Sequence, residues 1–380
     1  MFLPLRELAF ARNKFLLMGG VISLIAVLVV MLSGLSNGLV KDGVSGLQRL
    51  PVTVFAFSEG ASKDAAFSRS IVDISLAKEL SAEPGVKDAA PFGNLLVNTK
   101  NQDGRAIDLA LFGVEIGSFL EPRAAEGSNL AEVGDHEVEG VGIVVSPTAK
   151  DEGIELGDTL AIDRIGHTLT VVGFTDSQDT FGHVDVAFIP LNAWQVLASG
   201  AKPGEQVRDG AFAEATAIAL QGEDIDVSGI DARFPLMTTS LKESFNASPG
   251  YSAETMTLNM IQAFLFAISA LVVGAFFTVW TIQRKGELAV LRALGAPRRY
   301  LLRDAVVQAA VILVLSIAVG MVVGVFMGLV LEKTPMPFGL ELDHVLGATG
   351  AMFLLGMVGA VFSVVRLTKI DPLEALGGQR

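Results

Sequence analysis

The chain has 380 residues, no cysteine, only 18% charged residues and a formal net charge of −13. With a mean hydropathy of +0.53 it lies outside the range of ordinary soluble domains, in which about a quarter of residues are charged, and it reads as a membrane protein. Disulfides and thiolate metal sites are excluded by the missing cysteines, and the acidity argues against nucleic acid as a partner.

Residues 1–14 set Leu5, Leu8 and Phe10 among Arg6, Arg12 and Lys14, the pattern of an amphipathic helix lying in the inner membrane interface. Four apolar stretches follow along the chain: Phe15–Leu35, Met260–Ile282, Ala305–Leu331 and Val345–Val365. Each reaches the roughly 20 residues needed to cross about 30 Å of hydrocarbon. None contains Asp, Glu, Lys or Arg, whose burial at mid-bilayer costs a few kcal/mol or more. The first stretch is longer than the roughly 7–15 apolar residues of a signal peptide and no A-x-A site follows it, so it reads as an uncleaved anchor. Transmembrane helices are expected over 15–40, 256–282, 304–331 and 345–366.

Between the first two lies an inserted domain, 41–255. Alternating or continuous apolar runs at 52–57, 95–99, 107–114, 140–146, 158–163, 167–174 and 184–190 predict strands, each ended by Gly, Pro, Asn or Asp. Helices are expected over 66–82 and 191–199, with a short one in PTAKDEGIELGD (147–158). The fold class is therefore four transmembrane α-helices with one large α+β extracytoplasmic domain between helices 1 and 2. Chemistry is hard to find in it. His136, His167, His183 and His344 are scattered, without H-E-x-x-H or paired spacing, so no metal site is expected. Ser146 lacks a G-x-S-x-G context, no catalytic constellation appears, and no G-x-x-x-x-G-K-[ST] loop is present to bind ATP.

The connector 283–303 and its flank carry six basic residues, Arg284, Lys285, Arg292, Arg298, Arg299 and Arg303. Together with the N-terminus and the 367–380 tail (including Arg366 at its border), this side of the membrane holds twelve basic against five acidic residues, +7; the other side holds sixteen against thirty-six, −20. By the positive-inside rule the +7 side, with both termini, is cytoplasmic, and the protein is a multi-pass protein of the cytoplasmic membrane. Within the connector Leu288, Leu291 and Leu294 form a narrow apolar stripe, which Gly295 and Pro297 terminate. Such a short helix suits either a position on lipid or docking to a cytoplasmic protein.

Gly320, Gly324 and Gly328 recur at four-residue spacing in the third span, as do Gly34 and Gly38 at the end of the first, and such faces allow close helix approach. Four spans are few to enclose a path, so a homodimer packed along these faces is expected. The loop 332–344, EKTPMPFGLELDH, joins the third and fourth spans on the outer side.

Three motifs in order resemble the four-helix ABC-transporter permeases of the macrolide-exporter, lipoprotein-release and FtsX type. QRKGELAVLRALGAPRRYLLRD resembles their R-x-x-E-[IL]-x-x-x-R-A-[LI]-G signature, with Arg284, Glu287, Leu288, Arg292, Ala293, Leu294 and Gly295 on the matching positions. GIVVSPTAKDEGIELGDTLAI, followed by HTLTVVGF, resembles the outer-domain pattern at Leu156, Gly157, Asp158, Val171, Val172 and Gly173; IDPLEAL (370–376) resembles the terminal motif, although Gly377 and Gly378 stand where Arg is usual. The resemblance implies a dimeric permease joined to two copies of a separate ATPase subunit, which binds ATP and Mg. It makes the 284–295 helix, with Leu291 in its stripe, the ATPase-coupling helix, and it implies mechanical transmission to the outer domain.

Overall size and FGHVDVAFIPLNAWQ (182–195) look most like the permease subunits of Gram-positive haem-efflux transporters, which implies haem as substrate. Residues placed to meet it where the spans reach the outer surface are Tyr251, Met256, Met260, Glu332, Met336, Glu341 and His344, since Tyr, Met and His can ligate haem iron. The alternatives are export of an antimicrobial peptide or lipid-linked molecule, and an FtsX-like regulator of a cell-wall hydrolase that transports nothing.

Overall fold

A computed structural model describes residues 12–134, 138–283, 286, 290, 294–334 and 336–367. The chain divides into two compact units, one formed by 1–39 with 256–380 and the other by Val40–Thr255. Four helices are long and apolar enough to cross a membrane: Phe15–Gln48, Tyr251–Gln283, Arg299–Leu331 and Leu342–Val365.

In the membrane unit, Phe15, Met18, Ile22, Ile25, Ala26 and Val29 recur at helical spacing along the first span. They bury against Val273 and Phe277 of the second span, Ala309, Ile312, Leu313 and Ile317 of the third, and Ala348, Met352, Ala360 and Val364 of the fourth. Apolar packing alone drives little association in lipid, so small residues and polar contacts set the fit. Ser23 Oγ donates to the Ser316 carbonyl at 2.7 Å, and Ser363 Oγ donates to the Gly274 carbonyl at 2.8 Å. A Cβ at Gly359 would lie 2.3 Å from the Ala270 carbonyl oxygen, so the second and fourth spans cross backbone to backbone there.

The inserted unit holds thirteen strands among its described residues: β1 (Val54–Ser58), β2 (Val72–Asp73), β3 (Val86–Lys100), β4 (Ala106–Val114), β5 (Glu126–Gly127), β6 (Val141–Val145), β7 (Thr159–Ile162), β8 (Thr168–Phe174), β9 (Thr180–Phe181), β10 (Val184–Pro190), β11 (Glu214–Ala215), β12 (Ala217–Gly222) and β13 (Leu236–Ser240). The main sheet runs β13-β1-β12-β3-β4-β10-β6-β8-β5, with β7 bridging β3 and β8 and with β9 on β10. The pairs β4/β10 and β6/β8 are parallel. An aromatic cluster of Phe55, Phe57, Phe67, Phe92, Phe112, Phe181 and Phe188 forms one core, and Val44, Leu47 and Leu50 from the end of the first long helix complete it. A second core lies around the helix Leu191–Ser199, whose Trp194 indole rests on the cross-strand glycine pair Gly93 and Gly113. Any side chain at either glycine would meet the ring within 2.5 Å.

The structure departs from the sequence reading at 66–82, where two short helices, Ala66–Arg69 and Leu76–Leu80, flank strand β2. Local side-chain bonds compete with the helix there: Ser70 Oγ accepts the Ser58 amide, and Asp73 accepts the Ser75 amide at 2.8 Å. The segment 147–158 opens with a 3-10 turn, Pro147–Glu152, closed by Gly153 at φ +87°.

Candidate functional site

The first long helix, 34 residues from Phe15 to Gln48, is about 50 Å long at 1.5 Å per residue and outruns about 30 Å of hydrocarbon. Its polar end, from Lys41 onward, is held inside the inserted unit by the hairpin of β9 and β10. Gly182 donates its amide to the Gly43 carbonyl at 2.9 Å, and Ser45 Oγ accepts the Thr180 amide at 2.9 Å while lying 2.7 Å from Thr180 Oγ1. Gly46 sits where a Cβ would strike Val186 at 2.7 Å. Arg49 hydrogen-bonds Asp176 at 2.9 Å and lies 3.0 Å from Asp179 Oδ1, an ion pair without hydrogen-bond alignment.

At the hairpin tip His183 adopts φ +65°, a conformation uncommon for residues other than glycine, although His tolerates it better than most. Its Nδ1 lies 2.8 Å from Asp42 Oδ2 and its Nε2 lies 3.1 Å from Glu254 Oε2. One ring thus meets the end of the first long helix and the beginning of the second. Partial burial opposes its charge, but the hydrogen bond to Asp42 and the charge of Glu254 outweigh that and raise the pKa above its ordinary value. Two residues on, Asp185 is buried in β10 and accepts from Thr148; desolvation pushes its pKa up to about 6 despite bonds from Thr148 and Ser146. Burial likewise raises Asp179, against the hydrogen bond from Thr175. Sequence reasoning passed over this assembly. The available signals were an aspartate inside the apolar run VDVAFIP and a Gly-His pair at a strand junction.

Each sequence-derived substrate candidate has its own described surroundings. Tyr251 packs its ring against Phe245 at 6.2 Å within the inserted unit. Met256 and Met260 stand 72% and 51% exposed on the second span, and Met336 is 52% exposed in the outer loop. Glu332 accepts the Leu340 amide at 2.7 Å, which gives it a structural role in folding that loop. Glu341 and His344 form an exposed pair at 3.1 Å. No group of three metal-ligating side chains stands together among the described residues. His167 is buried and hydrogen-bonded to the Ala201 carbonyl, and His136 lies outside the described residues.

At all five glycines the close neighbours are residues of the same chain. A Cβ at Gly34 would strike the Phe338 ring at 2.3 Å, at Gly38 the Pro337 carbonyl at 2.4 Å, at Gly320 the Ser23 carbonyl at 2.4 Å, at Gly324 Val30 at 2.9 Å and at Gly328 Leu340 at 2.7 Å. The 337–340 loop lies on the first span through bonds from Gly339 N to the Gly34 carbonyl and from Asn37 Nδ2 to the Gly339 carbonyl. These surfaces are therefore already filled.

Of the coupling candidates, Arg284, Glu287, Leu288, Leu291 and Arg292 lie outside the described residues. Leu294 is 80% exposed, its amide bonded to the Val290 carbonyl at 3.0 Å, and Gly295 follows at φ +96°, the left-handed conformation that ends a helix. Pro297 caps the helix Arg298–Leu331.

The family described as FtsX-like permease C-terminal matches residues 259–372. The chain is 24% identical over 373 residues to a protein named as the HrtB permease of a hemin transport system in Staphylococcus epidermidis, covering 98% of each chain. It is 23% identical over 389 residues to an uncharacterised ABC transporter permease of Mycobacterium tuberculosis, covering 100% of this chain and 99% of that one. Among solved structures, the periplasmic region of MacB from Actinobacillus actinomycetemcomitans matches with TM-score 0.35 and 15% identity, over 50% of this chain and 91% of that one.

Proposed function

We propose that this chain, an ABC-transporter permease of the FtsX type, expels haem from the membrane under the drive of a separate ATPase. What carries the substrate reading is similarity along the whole chain, covering 98% of both sequences, to a permease named for hemin transport. The spans add support. Among their described residues the third and fourth keep ionisable groups at their ends, so they provide no polar path across the middle of the membrane. An amphipathic planar molecule already in the outer leaflet needs no such path. It needs lateral access and a push.

The push is mechanical in this reading. Two ATPase subunits, binding ATP and Mg, dock on the 284–295 helices of a homodimer, and closure is transmitted along the first two long helices into the extracytoplasmic domain. Both termini and the connector are cytoplasmic, and the dimer meets through surfaces other than the glycine faces. Met256, Met260, Met336 and the Glu341–His344 pair are the exposed groups available to haem. Tyr251 is half-buried, and Glu332 is engaged by the loop.

A titration of the purified full chain with haem in detergent, followed at the Soret band, tests this with Met336→Ala and His344→Ala in parallel. Saturable stoichiometric binding with a shifted band is expected, and a variant that loses it locates a ligand. Absence of saturable binding would overturn haem as substrate and favour peptide or lipid export, or the hydrolase regulator.

A further inference from the structure

His183 has a carboxylate at each ring nitrogen, Asp42 at 2.8 Å from Nδ1 and Glu254 at 3.1 Å from Nε2. A neutral imidazole carries one N–H and one lone pair, so it can donate to only one of them and must turn its lone pair toward the other. The imidazolium donates to both. The pair of contacts is thus satisfied in full only when the ring is charged, and each contact is then a charge-assisted bond. We propose that His183 is a proton-operated latch that ties the ends of the first two long helices to the β9–β10 hairpin.

The three groups come from three elements that are otherwise far apart in the chain. Asp42 belongs to the helix Arg12–Gln48, Glu254 to the helix Tyr251–Gln283, and His183 to a tight turn between them. The turn is held on the helix side by the Gly182–Gly43 backbone bond and by Thr180 on Ser45, so it cannot follow Glu254 without breaking those bonds. Its backbone is also fixed by consecutive positive φ values, +60° at Gly182 and +65° at His183. On the helix side the ring packs beside Gly43, where a Cβ would lie in ordinary contact, 3.7 Å from His183 Cε1 and 3.8 Å from Tyr251 Cδ2. The charged groups facing the imidazole are Asp42 from the first helix and Glu254 from the second; Tyr251 brings an uncharged ring. All of the charges are negative, and together they keep the ring protonated beyond the pH at which a free histidine would lose its proton.

Below that pH the two helix ends and the hairpin form one body. Above it, one bond is lost, and the carboxylate on that side is released from the ring while Tyr251 stays packed in the core. The inference rests on the permease assignment only in giving this motion a use: a latch between the two helices that carry the stroke would make transport respond to external acidity. The latch itself stands whatever the cargo is.

The test uses the full chain in nanodiscs. Nitrogen-edited NMR of ¹⁵N-histidine-labelled protein follows His183, assigned by its loss in His183→Asn, a variant that tolerates the left-handed backbone but spans only one carboxylate. Expected are a midpoint above the ordinary histidine value of about 6.5, protons on both nitrogens below it, and a midpoint lowered in Glu254→Gln, where a neutral amide replaces one carboxylate. Hydrogen exchange at 40–46, 180–186 and 251–255, corrected for the intrinsic base dependence, should rise severalfold across that midpoint and be flat with pH in His183→Asn. A midpoint at or below 6.5, a single-tautomer ring at low pH, or exchange equally flat in the unaltered chain would overturn the latch. Because haem binding is not measured in this experiment, failure of the latch and failure of the haem reading are told apart.

Discussion

Gly320→Ala isolates the close approach of the first and third spans. An added Cβ would lie 2.4 Å from the Ser23 carbonyl oxygen and 2.5 Å from Ala26 Cβ, whereas carbon atoms rest at about 3.5–4.0 Å. The helices must therefore separate by about 1 Å at that level, because the first obstacle is backbone and cannot rotate away. Overpacking of this kind costs about 1–3 kcal/mol, offset by up to about 1 kcal/mol from replacing glycine in a helix. A net loss of about 1–2 kcal/mol is expected. The matched control is Gly350→Ala, since nothing lies within 4 Å of a Cβ there, so that only the propensity gain remains. Thermal unfolding of the two full-length variants in one detergent, followed by helical circular dichroism, reads the difference. Gly320→Ala as stable as Gly350→Ala would refute the intrachain packing.

Single cysteines at Gly34 or Gly324 are expected to give no disulfide dimer in membranes, because Phe338 and Val30 of the same chain occupy those positions; an efficient dimer band from either would restore these faces to a subunit interface. Asp185 is expected to make stability fall as pH rises. Its folded pKa of about 6 exceeds the unfolded value of 3.8, so the folded state binds the proton more tightly, and the contribution present below pH 4 is lost by about pH 6, roughly 3 kcal/mol in size. Asp185→Asn should remove that slope in chemical unfolding between pH 4 and 7, and an unchanged slope would assign it elsewhere. Leu291→Asp and Glu287→Lys are expected to abolish ATP-driven transport with expression intact, and normal transport by either would dismiss the docking helix.

How far the sequence carried depends on which forces are local. The four spans were legible because runs of apolar residues without charge have few other uses, and strands such as 107–114 and 184–190 because β-branched and apolar residues end at turn formers. The breaks at Ser70 and Asp73 were not, since they arise from single side-chain bonds that override helix-compatible spacing. The strands Ala217–Gly222 and Leu236–Ser240 also escaped: AIALQG is too short to separate strand from helix by period, and its partners β1 and β3 lie far away in sequence. The neighbours of the glycine faces were not legible, because spacing tells that a face is small and says nothing about what fills it; residues of the same chain lie against it here. The His183 node was invisible for a related reason. Asp42, His183 and Glu254 are separated by 141 and 71 residues, and only the folded hairpin brings them together.

The most direct test of haem export is ATP-dependent loss of haem from proteoliposomes that hold this chain with the separate ATPase proposed to drive it. Haem should leave the bilayer for an external haem-binding protein on ATP addition, and not with Glu287→Lys in place of the unaltered chain. ATP turnover stimulated by the permease without any haem leaving the membrane would contradict haem as the cargo.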